Sequence, residues 1–119
     1  MMNYSKFATM LNAELPDIKF YLDYIPEKKP LPAVSYQHVA HSATRVLDGT
    51  KSGQSDTWRL ALVVDNINDM ATLVNQVESL HNMRTNEYQR VFVRIVNGQS
   101  QNIDQPNRQT LVDIQTYEA

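Results

Sequence analysis

The residue types that could do chemistry are few and far apart in this chain. Its three histidines are His38, His41 and His81. His38 and His41 fall in a stretch of strand-like alternation. Residues three apart on a regular strand point to opposite faces, so the pair is not expected to grip one metal ion. His81 has no sequence neighbour at a ligand spacing. Surface or partly packed histidines are therefore the expectation. There is no cysteine, which removes disulfides and thiolate ligands and fits a reducing compartment. The serines include no Gly-x-Ser-x-Gly elbow. Asp17, Asp23, Asp48, Asp56, Asp65, Asp104 and Asp113 are dispersed, without the pairing that general acid–base catalysis needs. Gly49 and Gly53 are not part of a Gly-Lys-Ser/Thr phosphate loop. The expectation is a protein that is not an enzyme, with no catalytic residue, no cofactor and no metal.

Scaffold elements are easier to read. Trp58, Leu60, Leu62 and Val64 recur every second residue, with Arg59 and Asp65 in the opposite phase, which is the period of a strand with one buried face. Val34, Tyr36, His38 and Ala40 form a weaker strand before it. The polar run from Leu47 to Asp56 holds two of the chain's three glycines and reads as a mobile hairpin tip. After Asp65 the period changes: Met70, Leu73, Val74, Val77 and Leu80 share one helix face. Asn66 or Asn68 can cap that helix and Asp69 suits its first turn, which predicts a helix over Asn68 to Met83.

The flanks follow the same logic. Tyr4, Phe7, Leu11 and Leu15, widened by Met10, predict a helix from Ser5 to Glu14, capped by Asn3 or Ser5 and stopped by Pro16. Ile18, Phe20 and Leu22 predict a short strand. Residues 25–32 hold Pro26, Pro30 and Pro32, which cannot supply ladder donors, so they form a connector. Val91 to Val96 is the strongest strand signal. Asn97-Gly98 predicts a tight turn, and residues 99–108 read as either a short edge strand or a loop. Leu111, Val112, Ile114 and Tyr117 mark the last strand. The expected fold is α+β, an antiparallel or mixed β-sheet of four to five strands with two α-helices, in the order α-β-β-β-α-β-β. No repeat or internal boundary divides residues 1–119, so one domain is expected.

Composition narrows the function classes. With 42% hydrophobic and 20% charged residues, the chain can bury a real core and is not a disordered tail. The 11 Lys and Arg are scattered and the formal net charge is −2, which argues against a sequence-specific nucleic-acid reader. No apolar run reaches the length of a membrane span, and the first residues lack a secretory core, so a cytosolic chain is expected.

Both faces of the expected sheet carry apolar residues. Ala61 and Val63 lie opposite the Trp58 face, Phe92 and Val96 lie opposite Val91, Val93 and Ile95, and Val112 with Ile114 adds a further pair. Two helices can cover one face. The other then meets a neighbouring subunit, unless the helices straddle the sheet. Candidate interface residues are Arg45, Asp48, Lys51 and Asp56 around the hairpin tip, and Arg59, Val63, Phe92 and Arg94 on the strands. The tip reads either as an idle loop or as an arm ordered by a partner. Trp58 reads as a core residue, with an interface anchor as the alternative.

The succession of a helix, a Pro-bounded strand, Leu31-Pro32-Ala33-Val34-Ser35-Tyr36-Gln37, a polar tip, and Trp58-Arg59-Leu60-Ala61-Leu62-Val63-Val64 running into an Asn/Asp-led helix resembles the tail terminator, or tail completion, proteins of long-tailed bacteriophages. The resemblance spans about residues 5–117 and rests on order and hydrophobicity. It implies a homohexameric ring at the head-proximal end of the tail tube that stops tube polymerisation and presents a head-docking surface. The implied partners are copies of the chain itself, the tail tube protein and the head–tail connector. The implied location is the virion tail, after assembly in the host cytoplasm. The alternatives are another neck or head-completion component, or a small ligand-binding domain, which would show a deep pocket with convergent polar groups.

Overall fold

In the computed structural model the elements run α1 (Tyr4–Glu14), β1 (Phe20–Leu22), β2 (Ala33–Arg45), β3 (Lys51–Val64), α2 (Ile67–Glu78), β4 (Arg90–Gln101) and β5 (Arg108–Glu118). The structure describes residues 3–26, 30–45, 51–101 and 108–118. The strands form one five-stranded sheet in the order β1-β2-β3-β5-β4. The β1–β2 pair is parallel and every other pair is antiparallel. This is the expected α+β fold with a mixed sheet.

Local chemistry accounts for the helix ends. The Asn3 side chain accepts from the Lys6 amide at 3.0 Å and starts α1. At its far end the Leu15 amide donates to the Leu11 carbonyl, and Pro16 follows. Asn66 caps α2 by accepting from the Asn68 amide at 2.9 Å, and Asp69 sits in the first turn, where the helix dipole favours a carboxylate. The second helix stops at Glu78, earlier than the apolar stripe suggests. Leu80 is still buried, but it packs from a turn. Asn82 there adopts a left-handed φ of 67°, a conformation Asn tolerates better than most residues. Its amide donates to the Val91 carbonyl at 2.7 Å, and the Val91 amide donates to the Met83 carbonyl at 3.1 Å. The chain thus leaves the helix by pairing with the start of β4.

Three sequence expectations about strands need correction. Residues 51–56, read as part of a mobile tip, belong to β3 and pair with β2. The alternation was hidden because these rungs are polar on both faces. Asn97-Gly98 is not a tight turn: β4 continues through it to Gln101, with register irregularities between Ile95 and Asn97 and between Asn97 and Ser100. Val112 and Ile114 are not on the second face; both are buried with Trp58 and its row, and Leu111 occupies the opposite position.

Both helices lie on the same face of the sheet. Phe7, Met10, Leu11 and Leu15 from α1, and Met70, Leu73 and Val77 from α2, join Val34, Tyr36, Trp58, Leu60, Leu62, Val64, Val91, Val112 and Ile114 in one core. Trp58 is its centre, in the core role expected of it. Its ring stacks on Phe7 at 4.2 Å between centroids and meets Tyr4 edge-on at 5.4 Å. Its Nε1 donates to Thr116 Oγ1 at 3.1 Å. Burial of each large side chain here is worth about 1.5–3 kcal/mol. The straddling arrangement is thereby ruled out, and among the described residues no helix lies on the odd-numbered face of β3.

Candidate interaction surface

The uncovered face is built by the residues that alternate with the core row. Arg59, Ala61 and Val63 of β3 stand beside Asp113, Leu111 and Gln109 of β5. Phe92 and Arg94 of β4 continue the rows through Gln115 and Asp113. Ser35 and Gln37 of β2 complete it on the other side. Its middle is charged. Asp113 is 7% exposed and receives two hydrogen bonds from Arg59, at 2.9 and 3.2 Å. That pairing holds the Arg59 guanidinium above its usual range, through the hydrogen bond first and the charge second. Arg94 approaches the same carboxylate at only 3.6 Å and its side chain is 78% exposed, so most of its donors face solvent.

The flanks of this face are apolar. On the β4 side Phe92 meets His81 and Tyr117 edge-on at 5.9 and 5.8 Å. On the β2 side the segment after β1 folds over the sheet. Tyr24, Ile25, Pro26 and Leu31 form one wall of a groove of about 790 Å³ whose floor includes Ala61, Val63 and Leu111. Asp23 and Arg59 are at its margins. Tyr24 is largely exposed and Val39 about half exposed, so the groove is a trough along the sheet rather than an enclosed chamber.

Sequence reasoning missed a second feature. Val39 is a bulge: the register of β2 against β3 shifts between His38 and Ala40. The extra residue resets the alternation, so His38 and His41 fall on one face instead of opposite faces. Both rings point at Asp56. His38 Nε2 and His41 Nδ1 each lie 2.8 Å from the same Oδ1. Asp56 is consequently buried at 5% exposure, not displayed on a tip. Each imidazole aims a nitrogen at the oxygen itself, which makes a hydrogen-bonded clamp. Among the described residues no group of three or more His, Cys, Asp or Glu has the geometry to hold a metal ion.

The clamp sits where the core gives way to solvent. Trp58 meets the His38 ring edge-on at 4.9 Å. Tyr88 is buried beside it, and its hydroxyl is pushed well above the usual range, by burial first, then by the charges of Asp56 and Glu87, with a Thr116 hydrogen bond opposing. Tyr36 shifts in the same direction, again mainly by burial, with Asp23 and Tyr4 adding to it. Lys6 pairs with Glu118 and lies over the Tyr88 ring, which ties α1 to the end of β5.

The expected interface residues therefore separate. Arg59, Val63, Phe92 and Arg94 share the uncovered face. Asp56 belongs to the buried clamp on the opposite face. Arg45 and Lys51 are opposed on one hairpin rung, and Asp48 lies outside the described residues. No periodic signal marks the bulge at Val39; only the pair His38 and His41, with an Asp on the facing strand, hinted at it. Compared with known proteins, no family model matches the chain and no curated protein matches it.

Proposed function

We propose that the chain is a structural ring subunit of the phage tail terminator type, which caps the head-proximal end of a tail tube and offers a surface for head docking. One observation carries this reading: both helices pack on one sheet face, and the other is left with apolar rows on either side of a charged centre. Such a face is stabilised when another chain covers it. The hairpin adds support. The β2–β3 ladder runs past the last β5 rung, which is Gln54 with Glu118, to Arg45 with Lys51. Two rungs of the hairpin, Thr44 with Gly53 and Arg45 with Lys51, thus extend beyond β5 and offer edges to a neighbour. Neither feature needs a reacting group, and the subunit's function is to assemble.

The test is tube length. Purified chain is added to polymerising tail tube protein, and lengths are measured by electron microscopy. Shorter tubes with a density cap at one end support the reading. An unchanged length distribution with bare ends refutes it. The small-ligand alternative rests on the trough, and it requires a compound that raises the melting temperature of wild-type chain but not of Val63→Glu.

A further inference from the structure

The two outermost strands of the sheet, β1 and β4, match each other row by row. One row crosses all five strands: Leu22, Tyr36, Leu60, Val112 and Ile95. Residues paired across a ladder share a face, so all five lie on the helix-covered face. Tyr36, Leu60 and Val112 are buried, yet the ends of the row are open: Leu22 is 45% exposed and Ile95 44%. The next row lies on the helix-free face and reads Gln37, Arg59, Asp113, Arg94. Asp23 stands at its β1 end. Its amide donates to the Tyr36 carbonyl at 2.9 Å, and it borders the groove with Gln37 and Arg59. From edge to edge the charged residues of this row therefore alternate in sign: Asp23, Arg59, Asp113, Arg94.

We propose that the β4 edge of one copy abuts the β1 edge of the next in this same register, so that Ile95 packs on the next copy's Leu22 and Arg94 pairs with the next copy's Asp23. One sideways shift of the molecule makes both contacts. The apolar ends share one row and one face, and the charged ends share the next row and the other face. The charges identify the occupant. Asp113 is already held by Arg59, and Arg94 reaches it only at 3.6 Å with most of its donors in solvent. Covering Arg94 therefore requires a second carboxylate, and the next copy's Asp23 extends the alternation by one place. Polarity adds a third contact. β1 runs with β2, and β4 runs against it. Advancing from Asp23 to Tyr24 thus means retreating along β4 from Arg94 toward Phe92. The largely exposed Tyr24 then lies beside the Phe92–His81 pair and covers the β4 flank of the helix-free face. The 82–83 turn and His81 occupy the outer side of β4 at Val91 and Val93, and the Ile95 contact falls past them. Because the two edges are different surfaces, the joint is heterologous and propagates around a ring. The proposal rests on the ring reading and specifies how its subunits join.

The chain has no cysteine, so disulfide trapping reads the joint directly. In the double variant Leu22→Cys/Ile95→Cys the two thiols stand at opposite edges of a five-stranded sheet, beyond disulfide reach within one copy. Mild oxidation of the assembled double variant should give a ladder of covalent multimers on a non-reducing gel. Each single variant should stay uncrosslinked, and their equimolar mixture should stop at dimers. The charge pair is tested by light scattering, after melting curves confirm folding. Arg94→Glu sets two carboxylates together and should raise the concentration needed for assembly at least about ten-fold. Adding Asp23→Lys in the same chain should recover most of that loss. Wild type that assembles while the double variant gives no ladder overturns this joint and leaves the ring intact. So do single variants that dimerise with themselves, an Arg94→Glu chain that assembles like wild type, and a photocrosslinker at position 95 that captures tube protein instead of a second copy. A wild-type chain that is monomeric in solution and on tubes overturns both.

Discussion

Removing the Asp56 carboxylate is the sharpest test of the bulge-built clamp. Asp56→Ala deletes the one acceptor that His38 and His41 share. A hydrogen bond to a charged group is worth about 1.5–3 kcal/mol. The two are not lost equally. The His38 side chain is 12% exposed, against 28% for His41, so His41 recovers part of its loss by turning to water. The expected cost is about 2–4 kcal/mol. For a domain of this size that lowers the melting temperature by about 10–15 °C. The assay is thermal and urea unfolding of wild type, Asp56→Ala, His38→Ala and His41→Ala. The order of damage should be Asp56, then His38, then His41. A double-mutant cycle between Asp56 and His38 should give a coupling of about 1 kcal/mol or more. A change within about 2 °C for Asp56→Ala would refute the claim that the bulge at Val39 builds a stabilising contact.

Other expectations follow from the same packing. Trp58→Ala removes the stacked partner of Phe7 and the donor to Thr116, and should cost about 3–5 kcal/mol in urea unfolding. Asn3→Ala and Asn66→Ala each delete a helix cap and should cost about 1 kcal/mol apiece. Burial raises the Tyr88 and Tyr36 hydroxyls above their unfolded values. Their neutral forms are favoured by folding, so that stability is fully present below the unfolded pKa of about 10 and is lost as pH climbs past it. Unfolding free energy should therefore fall above about pH 10, and Tyr88→Phe should flatten the fall.

Much of the architecture was legible because it rests on periodicity. The Trp58–Val64 alternation and the Met70–Val77 stripe each report one buried face, and the structure places both in the same core. What periodicity cannot see is a change of phase inside a strand. A single extra residue at Val39 turns two histidines onto one face, and the arithmetic of alternation then gives the wrong answer. Polar rungs are equally silent: Gln54 and Ser55 pair in a regular ladder, yet their side chains look like loop composition. The Asn97-Gly98 pair shows the reverse error, a turn signal absorbed by an irregular edge strand. Of the interface candidates, Arg59 and Val63 were legible because they alternate with the buried Trp58 row, and Phe92 and Arg94 because they alternate with Val91 and Val93; Asp113, beside Arg59 and Arg94, is what joins them in one patch.

The central claim is that the helix-free sheet face is covered by further copies of this chain. Native mass spectrometry of the wild type, alone across concentration and then released from tail tubes, tests it most directly. The account predicts a discrete closed species of about six copies, populated in solution or on tubes. A single copy of 13.7 kDa under every condition would contradict it.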